Sequence, residues 1–103
     1  MYRGITPTYI LTLPNDIDLG AASHVYVTFA DDKGRTIEKK DSDLSIDANE
    51  ISVFLTQDET LKLRGKVALQ VNWTYDEDGI SKRACSTIAA VPFTDNLIDR
   101  VIE

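Results

Sequence analysis

The chain has 103 residues, with 11 Lys+Arg against 17 Asp+Glu and a formal charge of −6 with His24 neutral. That is one domain's worth of protein, long enough to bury a self-sufficient core without metal or disulfide staples, and its 43% hydrophobic and 27% charged residues exclude a disordered or fibrous chain. Basic residues cluster only at Lys39-Lys40 and Lys82-Arg83, which leaves little to neutralise phosphates and argues against nucleic acid or anionic membrane surfaces as partners.

The hydrophobic signal alternates with period two, the mark of half-buried strands. After Pro7, the run Thr8 to Leu13 sets Tyr9, Leu11 and Leu13 on one face, and Pro14-Asn15-Asp16 stops it. Val25, Val27 and Phe29 then alternate with His24, Tyr26 and Thr28 until Asp31-Asp32-Lys33-Gly34 supplies a turn. The returning strand, Arg35 to Lys40, is mostly charged around Ile37, as an exposed sheet edge requires. A short segment at Leu44 and Ile46 leads through Asp47-Ala48-Asn49-Glu50 into Ile51 to Leu55 and predicts a second hairpin.

Thr56 followed by Glu59 and then by Leu61 and Leu63 predicts one capped helical turn bridging two sheets. From Lys66 to Tyr75, the residues Val67, Leu69, Val71, Trp73 and Tyr75 form the most apolar strand face, expected at the centre of the core. Asp76 to Gly79 turns the chain, and a last strand, Ile80 to Val91, is expected to end at Pro92. Behind Thr94 as an N-cap, the residues Phe93, Leu97, Ile98, Val101 and Ile102 fall at helical spacing.

About seven short strands around one Trp read as an all-β, antiparallel immunoglobulin-like sandwich over residues 1–92, with a short amphipathic helical or irregular tail over 93–103. A small closed barrel produces the same alternation and stays open. So does the tail's partner: a segment this short must dock, either on its own sandwich or on another chain.

No arrangement of chemistry-bearing residues matches a catalytic or cofactor motif. Cys85 is the one cysteine, so no internal disulfide or multi-cysteine zinc site forms, and a reducing compartment at synthesis fits. A hydrolase reading requires His24 beside Cys85 or a serine; the plainer one makes His24 a half-exposed strand residue and Cys85 a small packing residue. Asp41, Asp43, Ser45 and Asp47 alternate like a calcium loop, but Ile46 and Ser52 stand where an EF-hand needs Gly and Glu. Tyr26, pointing outward, is the one candidate for stacking on a sugar ring. The start of the chain lacks the apolar run of a signal peptide, and no stretch reaches the ~18 apolar residues of a membrane span. Synthesis in the cytoplasm without membrane embedding is the expectation.

The segments Met1-Tyr2-Arg3-Gly4-Ile5-Thr6-Pro7-Thr8, Val25-Tyr26-Val27-Thr28-Phe29-Ala30 and Leu55-Thr56-Gln57-Asp58-Glu59-Thr60-Leu61 resemble a family of small structural proteins from phages and prophages of gut Firmicutes. The chain is also loosely similar to the immunoglobulin-like N-terminal domain of phage baseplate upper proteins. The resemblance implies a non-enzymatic virion role in the tail or baseplate, without cofactor, acting on other virion proteins or as a homo-oligomer. Its contacts would be the stripe Phe93, Leu97, Ile98, Val101 and Ile102, and its location the virion, after synthesis in the host cytoplasm. The alternative is a bacterial surface adhesion or carbohydrate-binding module centred on Tyr26.

Overall fold

The computed structural model describes residues 1–103, and the alternation becomes eight antiparallel strands in two sheets around one core. The smaller sheet joins β1 (Thr8–Thr12), β5 (Glu50–Phe54) and β4 (Leu44–Asp47) in that order. The larger runs β3 (Thr36–Lys40), β2 (His24–Asp31), β6 (Gly65–Glu77), β7 (Ile80–Cys85), and β8 (Ala89–Phe93) also pairs with β6.

β6 sits at the centre because it alone buries four consecutive apolar inward positions, Val67, Leu69, Val71 and Trp73. Across the pairing with β2 these meet Phe29 opposite Leu69, Val27 opposite Val71 and Val25 opposite Trp73. The smaller sheet adds Ile51 and Val53, and Leu55 follows directly after β5, all fully buried, and the Tyr9 ring lies 5.8 Å from that of Phe29, joining the two layers. The chain passes from β5 to β6 through α1 (Gln57–Lys62). Thr56 and Glu59 close a capping box at its start, satisfying two otherwise unpaired N–H groups. Glu59 also pairs with Lys39 at 2.7 Å, tying α1 to the edge strand β3.

Turn chemistry sets the hairpins. Asp31 Oδ1 accepts from the N–H groups of Lys33 and Arg35, and Gly34 takes φ 84° to close the β2–β3 turn. Asp78 and Gly79 both have positive φ, 54° and 77°, which matches the right-handed twist of the two strands they join.

The end of the chain departs from the sequence expectation. The last strand is not one run stopped by Pro92 but two, β7 and β8, separated at Ser86 to Ile88 and laid on the same edge of β6. Pro92 is tolerated inside β8 because its carbonyl faces away from β6, where it accepts from the Met1 ammonium at 3.0 Å, so no ladder N–H is required of it. The alternation therefore continues through Val91 to Phe93, which is 3% exposed and part of the core rather than of the tail stripe. The boundary between body and tail lies after Phe93, not after Pro92. No helix follows: Thr94 caps nothing but bridges Tyr2, and the Ile98 N–H bonds the Asn96 side chain, a local contact that competes with helical pairing.

Because Trp73 is 9% exposed at the middle of the β6 face, Trp73→Ala is expected to cost about 3–5 kcal/mol through the cavity it leaves. Urea unfolding followed by circular dichroism measures this, and a midpoint equal to that of the parent chain contradicts it.

Candidate functional site

The tail is fastened to the body by polar groups and presents its apolar side chains to solvent. Arg3 is the anchor. It follows the parallel bridge between Tyr2 and Thr94, in which the Arg3 N–H donates to the Thr94 carbonyl at 2.8 Å. Only 3% exposed, its guanidinium donates through Nε to the Leu63 carbonyl at 2.9 Å, through Nη2 to the Leu61 carbonyl, and through Nη1 to Asp99 at 2.6 Å. Those two carbonyls lie at and just past the end of α1, where the helix supplies no partner, so Arg3 both caps α1 and holds the tail. Arg64, next to Leu63, adds a second cation 2.8 Å from Asp99 and 3.4 Å from Asp95. Farther along, the Gln57 side chain bonds both the N–H and the carbonyl of Ile102 at 2.8 Å, and the Asn96 amide donates to the Arg3 carbonyl at 3.1 Å.

Asp99 and the more exposed Asp95 reach Arg3 and Arg64 from the surface, while Leu97 is fully exposed and Ile98, Val101 and Ile102 are each about half exposed. Of the five stripe residues expected from the sequence, these four are exposed, while Phe93 is in the core. Tyr2 and Ile5, on the segment that carries Arg3, are exposed as well.

A second feature lies on the outer face of the larger sheet. A groove of about 260 Å³ is lined by Tyr26 and Thr28 of β2, Glu38 of β3, Asn72 and Thr74 of β6 and Arg83 of β7. Register brings them together: Tyr26 pairs with Asn72, Thr28 with Glu38, and Thr74 with Arg83. Arg83 donates through Nε and Nη2 to Asn72 Oδ1 at 3.2 and 3.0 Å. The groove thus offers one aromatic face, one carboxylate and one guanidinium with donors to spare, a set able to hold a polyhydroxylated ligand.

The remaining candidates are dispersed. His24 Nδ1 lies 3.4 Å from Asp41 Oδ2, and neither Cys85 nor a serine is within hydrogen-bond distance of it. Cys85 is exposed at the end of β7, contrary to the packing role expected of it, because the register sets it opposite Asn72 on the outer face while Ala84, opposite Trp73, takes the inward position. Asp41 and Asp43 bond the backbone of Ser42 and Lys40, and no three His, Cys, Asp or Glu side chains converge anywhere in the fold. No helix is long and apolar enough to cross a membrane. Sequence reasoning missed Arg3, Arg64 and Gln57, whose partners are far along the chain; the i,i+4 pair Asp95 and Asp99 was the one local sign that a cation waits nearby.

No protein-family model, no curated protein and no solved structure matches this chain.

Three carboxyls titrate below their ordinary range. The Arg3 hydrogen bond and charge lower Asp99, joined by Arg64 and only partly opposed by burial. Burial would raise Asp31, yet N–H groups of Arg35, Arg64 and Lys33 and the Arg35 guanidinium outweigh it; burial would raise Glu59, yet Lys39 and the Thr56 N–H outweigh it. Depressed carboxyls stabilise the fold above their unfolded pKa, about 4, and that contribution is lost as pH falls through the lower folded value. Acidification below about pH 4 should therefore release the tail, read as loss of amide protection over residues 94–103 relative to the intrinsic exchange rate at each pH, and Arg3→Met should show that loss already at pH 7. Arg3→Met should also cost about 2–4 kcal/mol, because it leaves the Leu61 and Leu63 carbonyls without their donor. Unchanged exchange and stability in Arg3→Met contradict the anchoring role.

Proposed function

We propose that this chain is a non-enzymatic, immunoglobulin-like structural module of a phage or prophage virion, associated with the tail or baseplate, and that it binds other virion proteins through the ridge Leu97, Ile98, Val101 and Ile102. The observation that carries the reading is the tail: polar groups bond it to the body while Leu97 is left fully exposed and Ile98, Val101 and Ile102 about half exposed. Exposed aliphatic side chains of this kind, together with the exposed Tyr2 and Ile5 of the segment that carries Arg3, are what a protein contact covers. The −6 charge keeps such a subunit soluble before assembly and disfavours nucleic acid. The strand order supports the finer fold. Taken in chain order as B, C, C′, D, E, F and an interrupted G, the strands give B-E-D in one sheet and C′-C-F-G in the other, the pairing of a variable-type sandwich without its A and C″ strands. On this reading the protein is made in the host cytoplasm and ends in the particle.

A second reading, a carbohydrate-binding adhesion module, is favoured by one observation, the groove around Tyr26 with Glu38, Asn72 and Arg83.

Proteomics of density-purified particles from the bacterium that carries the sequence separates the two. The chain should remain with the particles, and a folded double variant, Leu97→Asp with Ile98→Asp, should be incorporated at least tenfold less. A chain that accumulates folded in cells and never enters particles sinks the virion reading. Loss of glycan-array binding in Tyr26→Ala but not in the tail variant then supports the second.

A further inference from the structure

The geometry points to a two-fold dimer of this chain, joined edge to edge along β1, on a surface that shares no residue with the tail ridge. β1 is paired on one side only, by β5. The bonds from Leu13 N–H to the Asn49 carbonyl and from Leu55 N–H to the Pro7 carbonyl fix which backbone groups that pairing uses: those of residues 7, 9, 11 and 13. The N–H and C=O groups of Thr8, Ile10 and Thr12 therefore face outward. Along that edge a groove of about 250 Å³ separates β1 from Leu69, Val71 and the break at Ser86 and Thr87.

The other edges are guarded. β3 carries Glu38, Lys39 and Lys40, β4 ends in Asp47, β7 carries Lys82 and Arg83, and the outer groups of β8 and Thr94 already bond Met1 and Arg3. β1 has no charge, and Thr8-Tyr9-Ile10-Leu11-Thr12 is nearly palindromic in side-chain type. A two-fold axis at Ile10 sets Thr8 against Thr12, Tyr9 against Leu11 and Ile10 against itself. Every outward N–H then meets an outward C=O, giving about six hydrogen bonds from three reciprocal pairs. Such self-complementarity is what an isologous contact requires. The same operation on β3 would oppose Glu38 to Glu38.

The exposed face completes the fit. Ile10, 62% exposed, and Phe54, 49% exposed, are diagonal neighbours, because Ile10 pairs with Ser52 and Thr8 with Phe54. Across the axis they merge into one strip running Phe54, Ile10, Ile10, Phe54, an apolar centre framed by Thr and Ser.

Sedimentation velocity over a concentration series of the full chain should show monomer–dimer exchange. Ile10→Lys, at a site exposed in the monomer, places two ammonium groups on the axis and should raise the dissociation constant at least tenfold with an unchanged circular dichroism spectrum. In a Cys85→Ser background, Ile10→Cys should form a disulfide-linked dimer on mild oxidation, since reciprocal cross-strand Cα atoms lie about 5.5 Å apart. Thr12→Cys, set against Thr8, should not. A chain that stays monomeric throughout overturns the proposal, even if an added extended peptide binds the edge. So does a dimer indifferent to Ile10→Lys, including one abolished instead by Leu97→Asp with Ile98→Asp, which seats the second copy on the tail.

Discussion

β6 is 13 residues long and lies inside a sheet, so its backbone groups need partners along both edges while one face stays dry. β2 satisfies one edge in unbroken register from His24 opposite Thr74 to Asp31 opposite Val67. The other edge is longer than either strand laid on it. The chain leaves β6 at Asp78-Gly79, covers the far half as β7, breaks, and covers the near half as β8. That path delivers Phe93 opposite Gly65, at the start of β6 and beside Leu63 and Arg64. The meeting of the N-terminal segment, the end of α1 and the tail is thus a consequence of the length of one strand.

At that meeting point sits a buried cation. A guanidinium out of water is costly unless its donors are used and its charge is balanced. Arg3 uses Nε and Nη2 on the two carbonyls left over where α1 ends, and Nη1 on Asp99. The tail is therefore held by its carboxylates, and that fastening leaves Leu97 fully exposed and Ile98, Val101 and Ile102 about half exposed. An amphipathic segment normally buries its apolar side, and here an ion pair decides the orientation instead. Exposure of Leu97 follows from the fastening rather than from looseness of the chain end.

What the sequence made legible was local. Period-two alternation identified the strands from Thr8 to Tyr75, the Asp-rich stretches before Gly34 and Gly79 marked turns, and Thr56 with Glu59 marked the capping box. All of these are set by neighbours a few residues away. The errors have a common cause in distant contacts. Pro92 reads as a stop because its missing N–H matters in a ladder, yet which way that nitrogen points depends on β6 and Met1. Phe93 fits both a period of two with Val91 and a helical spacing with Leu97, and pairing opposite Gly65 decides between them. Arg3 has no nearby acid; Asp99 is 96 residues away. Of the groove lining, Tyr26 could be singled out, but Glu38, Asn72 and Arg83 come from three other strands whose register the sequence does not state.

Charge placement ties these surfaces together. Six excess negative charges on a domain this small repel a second copy over roughly a Debye length, about 10 Å at 0.1 M salt. Contacts between copies must therefore form where charge is absent and short-range forces act. Two surfaces can supply such forces, the aliphatic side chains of the tail beside its paired carboxylates and the uncharged β1 edge with Phe54, and they differ in kind. The ridge offers apolar area without directional groups, so it tolerates many partner shapes. The β1 edge offers alternating donors and acceptors at fixed spacing, so it accepts an extended strand in one register. A fold with one surface of each kind can join a like subunit through the strict surface and an unlike one through the permissive surface, because neither contact uses the other's residues.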